Sequence, residues 1–186
     1  MNRTLRAAAV GGLAACALAG GEARASSFLA MDLDQLVAQS DAVVVAEVLD
    51  THSFWDKDHR VILTEATLAV DERLLGNPPR ILTVTTFGGT VDDYTVVAHG
   101  FPSFADGERV AVFLERHPDG TLRVTGYQLG LYDVEDADGD TIVVPTLDSG
   151  TRLVRPNGEP MPAPTTRDLQ TFRDDVRRAA AREEAP

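Results

Sequence analysis

Val61-Ile62-Leu63-Thr64-Glu65-Ala66-Thr67-Leu68-Ala69-Val70-Asp71-Glu72-Arg73-Leu74-Leu75 is the stretch that decides the fold of this chain. Ile62, Thr64, Ala66, Leu68 and Val70 fall on one face, and Glu65, Thr67 and Asp71 on the other. That period-two alternation is a strand with one face in a core, and Gly76-Asn77-Pro78-Pro79 stops it. A strand this long must curl to stay packed, which favours a closed barrel over a flat sandwich.

The segments on either side agree. Upstream, residues 42–49 (Ala-Val-Val-Val-Ala-Glu-Val-Leu) are β-branched enough for a buried strand. A short helix over residues 31–39 precedes it, capped by Asp32 and apolar at Leu33, Leu36 and Val37. Downstream, strands are expected over residues 80–87, 109–115, 121–125 and 141–144, with an edge segment over 91–98. Gly126 reads as a bulge in a strand continuing over 127–134, and Asp138-Gly139 as a hairpin turn. Short helices only at the ends, with no βαβ alternation, imply an all-β chain: a small OB-like β-barrel with a short N-terminal helix and a C-terminal amphipathic helix.

The termini read differently. Arg3 and Arg6 precede an Ala-rich apolar run, and Ala23-Arg24-Ala25 offers the small residues of a cleavage site. Residues 1–25 are therefore expected to be a signal peptide, with a secreted or periplasmic product starting at Ser26. Leu13-Ala14-Ala15-Cys16 also has lipobox spacing, so lipidation at Cys16 and a membrane anchor form the alternative. Residues 26–147 form the expected barrel domain. Residues 148–164, rich in Pro and Gly, read as an extended linker. Residues 165–186 read as the closing helix, with a Thr165–Asp168 capping box, an apolar stripe of Leu169, Phe172 and Val176, and a frayed end from Arg177.

Composition narrows function. The chain carries a net charge of −12. Removing residues 1–25 takes away three arginines and one glutamate, leaving 14 basic and 28 acidic residues, a net charge of −14. Such a surface repels phosphate backbones and anionic lipid, so no nucleic acid is expected as partner, and a membrane only through Cys16. Cys16 is the single cysteine. A mature chain without it has no disulfide, thiolate zinc site or cysteine nucleophile.

Local motifs for catalysis or cofactors are missing. Residues 135–140 echo the opening of a calcium loop, but Leu147 stands where the bidentate Glu belongs and the flanks are strands. His52, His59, His99 and His117 make no His-x-x-x-His pair, and His52 and His59 with Asp56 and Asp58 lack ligand spacing, so no metal is expected. Gly88-Gly89-Thr90 has no phosphate-loop Lys, and no cofactor is expected. No Gly-x-Ser-x-Gly elbow occurs, and no catalytic residue is assigned. A hydrolase with a non-local site stays as an alternative. Two aromatic clusters remain, Phe54-Trp55 in the first inter-strand loop and Phe101-Pro102-Ser103-Phe104 before the strand at Arg109. They either plug the barrel end or anchor a partner at its rim. The candidate rim is His52, Phe54, Trp55, His59, His99, Phe101 and Phe104.

The order of a short helix, then residues 40–48 (Ser-Asp-Ala-Val-Val-Val-Ala-Glu-Val), then a long strand ending in residues 70–76 (Val-Asp-Glu-Arg-Leu-Leu-Gly), resembles the netrin-like, tissue-inhibitor-of-metalloproteinase OB-fold. Residues 104–114, Phe-Ala-Asp-Gly-Glu-Arg-Val-Ala-Val-Phe-Leu, are similar to that family's strand after a Gly-Glu-Arg turn. The layout also resembles a group of exported bacterial proteins. The resemblance spans residues 32–134 and implies an OB barrel. Inhibitors of that family place a cysteine on the protease zinc and brace it with disulfides, which this mature chain cannot do. The expectation is an exported, non-enzymatic binding module that meets an extracytoplasmic protein or carbohydrate through its loop rim. An inhibitor or accessory partner of a secreted protease is a further alternative.

Overall fold

A computed structural model describes residues 27–147 and 151–183. The stretch expected to be a signal peptide, residues 1–25, and the alternative lipidation site Cys16 lie outside the described residues. The elements run β1 (Ser27–Leu29), α1 (Leu33–Ala38), β2 (Ala42–Trp55), β3 (Ile62–Leu75), β4 (Ile81–Phe87), β5 (Gly89–Val91), β6 (Tyr94–Val96), β7 (Arg109–Arg116) and β8 (Leu122–Val124). A 3-10 turn over Tyr127–Gly130 follows, then β9 (Leu131–Ala137), β10 (Asp140–Pro145), β11 (Arg152–Val154), β12 (Pro160–Met161), β13 (Arg167–Asp168) and α2 (Leu169–Glu183).

Five strands close a barrel in the ring order β2-β3-β4-β8-β7. Every seam is antiparallel except β4–β8, a single parallel bridge between Val84 and Leu122. That ring, with its one parallel seam, is an OB-like barrel. β9, β10 and β13 extend the sheet outward from β7.

β2 and β7 are buried on both faces, which is why their sequences are continuous apolar runs rather than alternating ones. Val44, Ala46 and Val48 point into the barrel with Ala66, Leu68, Leu82, Val84, Val110 and Val112. Val43, Val45, Ala111 and Phe113 point outward under the helices, where Leu36 and Val37 of α1 and Leu169, Phe172 and Val176 of α2 cover them. Phe172 meets Phe113 edge-on at 6.0 Å between centroids and Tyr132 at 5.4 Å. Arg173 pairs with Glu72 of β3 at 2.8 Å and Arg182 with Asp34 of α1 at 2.6 Å, so α2 is tied to the barrel and to α1. Asp32 caps α1 by accepting the Gln35 amide, and Gln35 returns the bond to the Asp32 amide.

Several local expectations need correction. β2 runs to Trp55, so His52, Phe54 and Trp55 lie on a strand and the loop shrinks to residues 56–61. A bulge between Val48 and Asp50 resets the alternation, and the polar residues beyond it still pair with β3. Residues 91–98 are not one edge strand. β5 and β6 make a hairpin that turns at Asp92-Asp93, with Asp92 at φ 52. The strand expected over 127–134 begins only at Leu131, because Gly126 (φ 68) and Tyr127 (φ 58) both take left-handed backbone and wind a 3-10 turn. Within the stretch read as a linker, residues 152–154 pair with β1 and β12, and Leu153 is buried. α2 starts at Leu169 rather than Thr165, since Arg167-Asp168 are held in the ladder with β10. The Asp168 carboxylate accepts the Thr171 amide at 3.0 Å, and the helix continues to Glu183 where fraying was expected.

One carboxylate works against the fold at neutral pH. Asp133 on β9 is partly buried beside Glu108 and Glu135, and burial first, then those two charges, push its pKa above the ordinary 3.8. The folded state therefore holds this proton more tightly than the unfolded chain, so its contribution is greatest below pH 3.8 and is lost as pH rises through the raised value. Asp133→Asn should raise the melting temperature at pH 7. The gain should vanish near the ordinary carboxylate pKa, where the wild-type residue is already neutral. Equal gains at both pH values, measured by thermal denaturation, would contradict this.

Candidate functional site

The barrel interior changes character along its axis. Residues at one end are aliphatic, but the inward positions at the other end are Thr51 and Ser53 on β2, Thr64 on β3 and Thr86 on β4. The register makes this a ring of neighbours, because Ser53 pairs with Thr64 and Thr64 with Thr86. These hydroxyls floor a cleft of about 510 Å³ at the barrel mouth, roofed by the β5–β6 hairpin and the loop 97–104. Ser53 Oγ and Thr64 Oγ1 lie 2.8 Å apart. Thr64 donates to the Gly88 carbonyl at 2.7 Å and Thr86 to the Pro102 carbonyl at 2.8 Å.

One glycine allows the roof to sit this low. Gly89, at φ 126, lies directly over the floor, and a Cβ there would land on Ser53 Oγ and Thr64 Oγ1.

Phe101 forms a wall. Its ring meets Phe87 at 4.9 Å and Tyr127 at 5.0 Å, both edge-on, giving a ridge of three aromatic residues. Across the ridge is a smaller cleft of about 270 Å³, where Glu115, His117 and Arg123 face Phe101 and Tyr127. Arg123 lies over the Phe87 ring, 5.3 Å from its centroid, and pairs with Asp119 at 3.0 Å. The Thr121 hydroxyl and amide, helped by Arg123, hold the Asp119 carboxyl well below the usual carboxylate range. The positive end of the small cleft is thus already neutralised. Tyr127 stands 54% exposed on left-handed backbone, a conformation unusual for a bulky side chain.

Of the residues singled out from the sequence, His99, Phe101 and Phe104 line the large cleft. The other four lie elsewhere. His52 and Phe54 stack 6.1 Å apart on the face of β2 opposite Thr51 and Ser53. Trp55 stacks on His59 at 6.3 Å and meets Tyr94 edge-on at 5.8 Å, beside the β5–β6 hairpin. Phe54, Trp55, Phe101 and Phe104 are all half-buried, between the plug and the free anchor. The hydroxyl floor and Tyr127 went unread. The hydroxyls had a signal, since Thr64 shares the core-facing positions of β3 and Thr51 and Ser53 alternate on β2, but polar residues on a strand normally mark the solvent face.

Among the described residues, no group of three or more His, Cys, Asp or Glu side chains is arranged to hold a metal ion. The Asp56 carboxylate accepts the Arg60 and Val61 amides at 2.6 and 3.0 Å, and these bonds, that from Val61 foremost, lower its pKa. It closes its own turn. The large cleft holds His99, Ser53 and Ser103, and its lining includes no carboxylate. Among the described residues no helix is long and apolar enough to cross a membrane. The chain matches no protein-family model and no curated protein.

Proposed function

We propose that this protein is an exported, non-enzymatic binding module that holds an extracytoplasmic protein or carbohydrate in the cleft at the barrel mouth. The observation that carries this reading is the contrast between floor and rim. The floor is neutral and hydroxylated, while the rim exposes apolar surface on one side, with Tyr94 65% and Val97 70% accessible. A concavity with placed polar groups and an apolar border is the usual shape of a ligand site, and barrel mouths are a common place for it. Export rests on the order of charge, apolar run and small residues over residues 1–25.

The rim can be removed without touching the core, because Tyr94 and Val97 are both exposed. The double variant Tyr94→Ser, Val97→Ser is expected to melt within a few degrees of wild type. Immobilised wild-type protein should retain a partner from the extracytoplasmic fraction of its host, and the variant should lose at least nine-tenths of it, a change of about 1.4 kcal/mol or more in binding. Equal retention by both proteins, or none by either, overturns the reading.

A further inference from the structure

The hydroxyls under the β5–β6 hairpin have their protons committed. Thr64 must donate to the Gly88 carbonyl, so Ser53 is the donor in the Ser53–Thr64 bond. Thr86 donates to the Pro102 carbonyl and Thr51 to the Asp106 carboxylate at 2.9 Å. What these groups still offer a ligand is lone pairs. The cleft therefore calls for an occupant rich in hydrogen-bond donors. Its lining has no Asp, Glu, Lys or Arg side chain and His99 is its one ionisable group, so the cleft favours a neutral occupant over a charged one. One wall is the face and edge of Phe101, with the exposed Tyr127 continuing the ridge beyond it.

We infer that the occupant is a neutral sugar chain, an assignment that rests on the binding reading above. A sugar ring presents O–H donors around its rim, which match the half-buried Thr51 and Ser53, and a C–H-rich face, which packs on an aromatic ring. A chain of such rings spans both sides of the Phe87–Phe101–Tyr127 ridge, because the two clefts share Phe87 and Phe101. An extended peptide would be read differently. It would ladder onto β6, which pairs only with β5 among the described strands, and would not need the Ser53 oxygen.

The test titrates the folded protein with cellohexaose, maltohexaose and xylohexaose, with an oligogalacturonate as the charged comparison, by calorimetry and amide chemical shifts. At least one neutral hexasaccharide should bind, with shifts centred on Ser53, Thr64 and Phe101, and the oligogalacturonate should not. Ser53→Ala should weaken that binding by about three- to tenfold, the value of one hydrogen bond. Phe101→Ala should weaken it more, with both variants checked for an unchanged fold by thermal melting. No binding of any neutral hexasaccharide overturns the sugar assignment. If peptides selected by display on the wild-type protein then bind and require Tyr94, the module reading survives with a different ligand. If neither sugar nor peptide binds, both readings fall.

Discussion

Phe172→Ala is expected to lower the unfolding free energy by about 3–5 kcal/mol, the cost of deleting a fully buried aromatic ring. Phe172 has no exposed surface and reaches Phe113 and Tyr132 from the far end of the chain. Its loss opens a cavity between α2 and the outer faces of β2 and β7, and neither backbone can collapse to fill it. β7 is pinned by β2 on one side and by β8 and β9 on the other. Urea denaturation of the variant reads the loss directly. Phe113→Ala, from the other side of the contact, should cost a similar amount, and the double variant should cost less than the two together. If Phe172→Ala melts like wild type, α2 is an appendage and the two-layer core described above is wrong.

Gly89→Ala carries the second large effect, through two separate causes. Its φ of 126 is a conformation that side chains rarely adopt, worth about 1–3 kcal/mol. Its new Cβ would also strike the Ser53 and Thr64 oxygens, an overpacking cost of about 1–3 kcal/mol. Gly120→Ala separates the two. Gly120 has φ 89 but no atom within 4 Å of an added Cβ, so it suffers backbone strain alone. The difference in stability between the two variants measures the collision, and amide exchange in Gly88–Val97 should speed up only in Gly89→Ala. Equal losses would mean that the hairpin does not rest on the hydroxyl floor.

The barrel was legible because β3 announces itself. Its alternation holds over most of its length, its C-terminal end is marked by Gly76-Asn77-Pro78-Pro79, and the neighbouring apolar runs of β2 and β7 need a layer on each side. The helix was equally plain, since Asp32 offers the cap and Leu33, Leu36 and Val37 the apolar face, though it spans Leu33–Ala38 rather than 31–39 and Gln35's share in the cap showed only in the fold. What was not legible depended on contacts far apart in sequence. Residues 152–154 look like linker until β1 lies beside them, and Thr165 looks like a cap until β10 pulls Arg167-Asp168 into the sheet. The site failed for a related reason. Thr51, Ser53, Thr64 and Thr86 come from three strands; alternation already put Thr64 on the core face of β3, but only closure of the ring sets the other three beside it. The aromatic residues were read as one rim, but β2 runs through His52 and Phe54, so alternation sends them to the opposite side from Ser53.

The covering of β2 and β7 by α2 has a consequence for when the chain can complete its fold. A polypeptide emerging from a ribosome has delivered every barrel strand before the residues of α2 appear. Until then Val43, Val45 and Phe113 have only α1 over them, and Phe113 lacks the ring of Phe172. Coverage by a late segment defers the final locking of the barrel until nearly the whole chain has been made.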